Sequence, residues 1–186
     1  MHALLALLLA GAPVVTAGAA PAPASWSPVA WKEGAAARTS YLSPVELAEL
    51  SPDDAGAAAL RAADPGAKVA VARPTVRVWT VGDATAVRAK LPAEVARRVV
   101  AVLRDGPTDA AKLRVAAGDV VVVLQAGLSA EARAAWSRVH GATVRGQAFL
   151  VPAAPGQPSL DLAARLAAEP QVALATPNWW LAARTR

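Results

Sequence analysis

His140 is the only histidine beyond the first two residues, the chain has no cysteine, and its 14 acidic residues are scattered. Covalent catalysis requires a nucleophile beside a base, and a metal centre requires several ligands at coordinating spacing. Neither pattern occurs, and no Gly-x-Ser-x-Gly elbow is present. His140 precedes Gly141 and reads as an imidazole at a helix end, where the helix dipole favours it. Asp53 and Asp54 are adjacent in a loop, and no other two acids sit at a spacing that forces them together. A glycosidase pair assembles through the fold rather than through sequence spacing, but a small chain with few acids argues against one. The expectation is a protein that is not an enzyme and has no metal or cofactor.

The residues with the strongest claim to function lie near the C-terminus. Asn178-Trp179-Trp180 is followed by Leu181, Arg184 and Arg186, and this segment is the candidate partner-binding site. Adjacent residues of an extended chain point to opposite faces, so one tryptophan can bury while the other stays available. Aromatic and arginine side chains are typical interface anchors. The competing reading is that both tryptophans cover the open end of the core, or pack against Trp26 and Trp31. Trp26, Trp31, Tyr41 and Trp79 can be read as a sugar-stacking platform, or as a small aromatic cluster joining an N-terminal hairpin to a middle strand; the second reading is preferred.

The elements that position these residues follow from pattern. Trp26 to Leu42 reads as a hairpin turning near Gly34. Ser43-Pro44-Val45-Glu46 has a helix-start signature, which predicts a short helix over Val45–Leu50. Asp53 to Gly66 reads as a linker or loosely packed connection, helical around Ala57–Ala63. Lys68 to Val81 alternates as a strand, with Pro74 keeping its first half at an edge. The run after Leu91-Pro92 is either a helix through Val99 or a strand over Val99–Leu103. Val120 to Val123 has the composition of a strand buried on both faces. Ser129 caps a helix with Trp136 and Val139 on its packing face, ended by His140-Gly141. Thr143 to Val151 reads as one strand segment. Pro158 to Ala168 reads as a second helix with Leu160, Ala163, Ala164, Leu166 and Ala167 as its packing stripe.

This order predicts an α+β fold, with a C-terminal ferredoxin-like antiparallel sheet carrying two helices on one face, preceded by a small hairpin-containing N-terminal region. The segments are 1–24, 25–67, 68–117 and 118–186. Residues 1–24 read as a secretory signal peptide, with an apolar core over Ala3–Ala10 and cleavage before Ala20 or Ser25. That core is too short to span a bilayer, so the expected location is periplasmic or extracellular, with no integral membrane segment after cleavage. The net charge of +5 comes from scattered arginines, with Arg97-Arg98 the only adjacent basic pair. No basic block with interleaved aromatics is present, so nucleic acid is not an expected partner.

The run Pro170-Gln171-Val172 to Thr176-Pro177-Asn178, closing a strand–helix–strand–helix–strand unit, resembles the N-terminal propeptides of subtilisin-like proteases and the stand-alone inhibitors of that family. The likeness covers the last third of the chain. It implies that the sheet face docks on a protease and that Trp179 to Arg186 runs into the substrate cleft. No protease motif follows, so the implied role is a trans-acting inhibitor or folding chaperone of a subtilisin-like serine protease. The alternative is a structural or scaffold module of the bacterial cell envelope, in keeping with secreted bacterial proteins of unknown function that end in a similar Pro-Asn-Trp-Trp.

Overall fold

The computed structural model describes residues 25–33 and 36–181; the expected signal peptide and Arg184 and Arg186 lie outside them. Among the described residues the fold is α+β, with one open sheet of nine strands and five helices. In chain order the elements are β1 (Ser27–Glu33), β2 (Ala36–Leu50), α1 (Asp54–Ala63), β3 (Lys68–Ala72), β4 (Val76–Thr80), α2 (Ala84–Ala89) and α3 (Ala93–Ala96). These are followed by β5 (Val99–Arg104), β6 (Leu113–Leu124), α4 (Ala130–Val139), β7 (Thr143–Arg145), β8 (Ala148–Val151), α5 (Gln157–Leu166) and β9 (Val172–Leu181). Among the described residues, the eight strand pairings are all antiparallel.

The chain runs through the same series twice. From β2 to β5, and again from β6 to β9, strand, helix, two strands, helical segment and strand follow one another, with α2 and α3 together filling the second helical position of the first half. The sheet order is β3-β4-β2-β5 in one half and β7-β8-β6-β9 in the other. The halves join where Leu103 and Arg104 of β5 pair with Arg114 and Leu113 of β6. Both leading strands are long and irregular: β2 shifts register between Leu42 and Leu47, and β6 between Ala116 and Val120. Gly118 (φ +100°) and Asp119 (φ +44°) form the second irregularity, in a left-handed backbone region that a bulge accommodates.

Residues 43–50 are strand rather than the expected helix. Glu46 and Glu49 have helical spacing, but β2 is paired by β4 on one side and β5 on the other, and this pairing overrides local preference. Successive strand residues face opposite ways, so the two glutamates, three apart, serve opposite faces of the sheet. Glu46 is clamped by Arg104 at 3.0 and 2.5 Å. Glu49 is fully buried and accepts hydrogen bonds from Trp79 Nε1 (3.0 Å), Arg98 Nη1 (3.3 Å), the Asp53 amide (3.3 Å) and Arg77 Nη1 (3.5 Å). A buried carboxylate is tolerable only when its lone pairs are engaged and its charge is matched, and both conditions hold here.

Three apolar cores result. The first lies between α1–α3 and the first half of the sheet, around Leu47, Leu60, Trp79, Val87, Val95 and Val99. The expected loose connection over 53–66 is therefore corrected. Asp53 caps α1 by accepting from the Gly56 amide at 2.7 Å, and α1 buries Ala57 and Leu60 in this core. The second core lies under α4 and α5, around Val120, Val122, Trp136, Phe149 and Leu166. The third covers the helix-free face of the first half with Ala48, Val78, Val100, Val102, Leu113 and Val115, and Trp180 packs against it.

Two further expectations change. Thr143–Val151 is a hairpin rather than one strand, because Gly146 (φ +59°) turns β7 back onto β8. Val139 is 80% exposed rather than packed beside Trp136, because Trp136 alone of α4 is buried while the turn beyond it faces outward. The open choice after Leu91-Pro92 resolves into both elements, α3 and then β5.

Gly56 sits against Glu49, where an added Cβ would collide with Glu49 Oε1 and approach Arg98 Nη2 to 2.8 Å. Helix propensity favours alanine over glycine by about 1 kcal/mol, and overpacking costs about 1–3 kcal/mol. Gly56→Ala should therefore be net destabilising in urea unfolding, although alanine is the better helix former. Gly82→Ala, with nothing nearer than 3.7 Å to the new atom, should be within about 0.5 kcal/mol of the parent.

Candidate functional site

The C-terminal strand carries the sequence-selected residues, and the structure sends their side chains to different places. Trp180 pairs with Val115 and Trp179 with Ala116, so the two rings leave opposite faces of β9. Trp180 joins the third core. The Trp179 ring meets that of Trp31 at 4.9 Å in an edge-on arrangement. Asn178 is exposed, opposite the irregular stretch of β6 that separates Ala116 from Val120. Leu181 pairs with Arg114 and is 41% exposed.

A polar cluster fixes the tryptophan pair. The Arg114 guanidinium lies 5.2 Å from the Trp31 ring centre and 5.8 Å from that of Trp179, within reach of cation–π attraction. It also donates to both carboxylate oxygens of Asp105, at 2.5 and 3.0 Å. Trp31 Nε1 donates to the buried Ser40 hydroxyl at 3.0 Å, and that hydroxyl donates to Asp105 at 3.4 Å. The hydrogen bonds from Arg114 hold the Asp105 carboxyl below its ordinary range, against the opposing effect of burial. Trp179 Nε1 is buried and has no hydrogen-bond partner. Of these groups, Arg114, Asp105 and Ser40 had no signal in the sequence.

The second half also presents a distinct surface. Val120, Val122, Phe149, Val151 and Ala175 turn toward the helices. The register puts their neighbours on the opposite face, in rows running Thr143–Leu150–Val121–Thr176 and Val123–Leu174. Among the described residues no helix covers these rows, and Val121, Val123, Leu150, Leu174 and Thr176 remain half-buried. The corresponding face of the first half is closed by Leu113, Val115 and Trp180. The two halves thus differ in whether this face is covered.

The other residues singled out in the sequence make structural contacts. His140 forms the C-cap of α4, its ring 4.3 Å from Trp136, with Nε2 3.4 Å from Glu169. The Ser137 hydroxyl nearby donates to the Ala142 carbonyl at 2.9 Å. Asp53 is committed to the α1 cap through the Gly56 amide and to Arg98, which hold its carboxyl below the usual range. Trp79 is buried in the first core beneath Arg61 and Arg77 while Trp31 packs on Trp179, so the expected aromatic cluster joining the N-terminal hairpin to the middle strand is corrected, and no shared platform forms among these described rings. Among the described residues no group of three or more His, Cys, Asp or Glu side chains could hold a metal ion, and no helix is long and apolar enough to cross a membrane. No protein-family model, curated protein or solved structure matches the chain.

The Asp105–Arg114 pair has a defined pH signature. A carboxyl with a lowered folded-state pKa adds stability above its unfolded value, near pH 3.8, and loses it as pH falls through the folded value. Asp105→Asn should lower the urea midpoint at pH 7, and its gap from the parent should shrink between pH 4 and pH 2. A gap constant across that range would show that the carboxylate charge is not what matters.

Proposed function

We propose that the chain is a non-enzymatic binding module whose second half is a ferredoxin-like sandwich similar to subtilisin propeptides. In this reading it acts as an inhibitor or folding chaperone of a subtilisin-like serine protease, in the periplasm or outside the cell. The observation that carries the reading is the uncovered apolar face made by Val121, Val123, Leu150, Leu174 and Thr176. Two supporting features are the strand order β9-β6-β8-β7 with two intervening helices, and the hairpin β7–β8. In this reading that order corresponds to a ferredoxin-like one, and the resemblance implies that the protease docks on the side of the sheet facing away from α4 and α5.

The tryptophans take a supporting part in this reading. With Trp180 in the third core and Trp179 against Trp31, β9 is held firmly up to Leu181. The residues beyond it, with Arg184 and Arg186, form the cleft-directed tail. A rigid strand ahead of a short tail lowers the entropy lost when the tail is positioned in a cleft.

The purified chain should inhibit at least one member of a panel of subtilisin-type proteases at sub-micromolar concentration. Thr176→Arg and Leu150→Glu, both on the uncovered face, should raise the inhibition constant at least about tenfold, the scale of an interface hot spot. Their thermal midpoints should stay near the parent's. Removal of residues 182–186 should weaken inhibition without unfolding the protein. Rapid digestion of the parent with no inhibition would exclude this reading and leave the envelope-scaffold alternative.

A further inference from the structure

A groove runs along the helical side of the sheet where the two halves meet, apart from the proposed docking face. It consists of two adjoining cavities of about 560 and about 550 Å³ that share Leu42, Arg88 and Ala101. Each is within the size range of small-molecule sites. The apolar floor comes from Leu42, Leu47, Ala101 and Leu103 of β2 and β5. Alanines of α2 and α3 line one wall, and Pro155, Pro158 and Leu160 at the start of α5 line the other.

Its polar groups are few and unevenly distributed. Arg88 belongs to both cavities and Arg97 to the second, and among the described residues no carboxylate lines the second cavity. Arg88 spends its Nε on the Val99 carbonyl at 2.8 Å. Neither arginine forms an ion pair among the described residues. The one acid in the first cavity, Asp83, is committed to capping α2 through the Ala86 amide at 2.9 Å. Ser43, in the same cavity, is only 3% exposed, and its Oγ has no hydrogen-bond partner. A buried hydroxyl without a partner is costly and uncommon in native proteins. A ligand that supplies an acceptor removes that cost.

We infer that this groove binds a single-chain lipid carboxylate, a long-chain fatty acid. The hydrocarbon chain lies over the leucine, alanine and proline surface. The carboxylate is met by the Arg88 and Arg97 guanidiniums, whose planar fork suits it, and Ser43 supplies a hydroxyl donor. A neutral lipid would leave the two guanidiniums unanswered. A short polar anion would leave the apolar floor exposed.

The test is calorimetric titration of the purified chain with oleate below its micellar concentration, with native mass spectrometry for stoichiometry. The expected result is one oleate per chain, with methyl oleate binding at least tenfold more weakly. Arg88→Ala with Arg97→Ala, both exposed positions, should weaken oleate binding at least tenfold with the fold retained by circular dichroism, the thermal midpoint falling only by the loss of the Arg88–Val99 hydrogen bond. Ser43→Ala should weaken it severalfold. Absence of saturable oleate binding by the parent overturns the inference, as does equal affinity for methyl oleate or an unchanged affinity in the double arginine variant. None of these readouts involves a protease, so this site and the proposed docking face succeed or fail separately.

Discussion

The buried carboxylate of Glu49 is the contact around which the first half is organised. It brings four segments to one point: β2 through its own backbone, β4 through Arg77 and Trp79, the start of α1 through the Asp53 amide, and the approach to β5 through Arg98. An ion in the interior is stable only while all of these groups stay in place. It therefore acts less as a source of stability than as a condition on geometry. The side chain at residue 56 must be absent because the carboxylate occupies that space. Arg98 then reaches past Glu49 to Asp53 and the Ser51 carbonyl, tying the strand end to the helix cap.

The second half repeats the strand order without repeating this device. Its leading strand carries a run of valines and no buried glutamate, and its helices sit on an apolar core. Its bulge is secured instead by the backbone. The Asp119 amide donates to the Ala153 carbonyl, and the Gly156 amide donates to the Ala116 carbonyl at 2.9 Å. One topology is thus held by charge in one half and by apolar packing in the other. That difference leaves the helix-free face of the second half apolar and open, while the first half closes its own with residues borrowed from β6 and β9.

Local signals made the second half largely legible. Ser129 accepts from the Ala132 amide as a helix cap should, and Leu160, Ala163 and Leu166 are buried at helical spacing. The first half misleads because its determinants are distant in sequence. Ser43, Pro44 and Glu46 imitate a helix start, and the arginines that make Glu46 and Glu49 acceptable in a strand lie 28, 49 and 58 residues from them. The repeat is invisible for a related reason: the halves share an order of elements, while an alanine-rich α1 and a charged β2 share little residue pattern with α4 and β6. At the candidate site, Trp179 and Trp180 stand out as a pair of bulky side chains. Ser40 and Asp105, which complete their surroundings, are 65 residues apart and ordinary in type.

The Trp31–Trp179 contact joins the first strand to the last. The two rings come from segments almost the whole described chain apart in sequence, and a contact between such distant segments forms only once both have been placed. Peeling β1 away from β2 would therefore also strip Trp179 of its packing partner, so damage at one margin of the sheet is felt at the other.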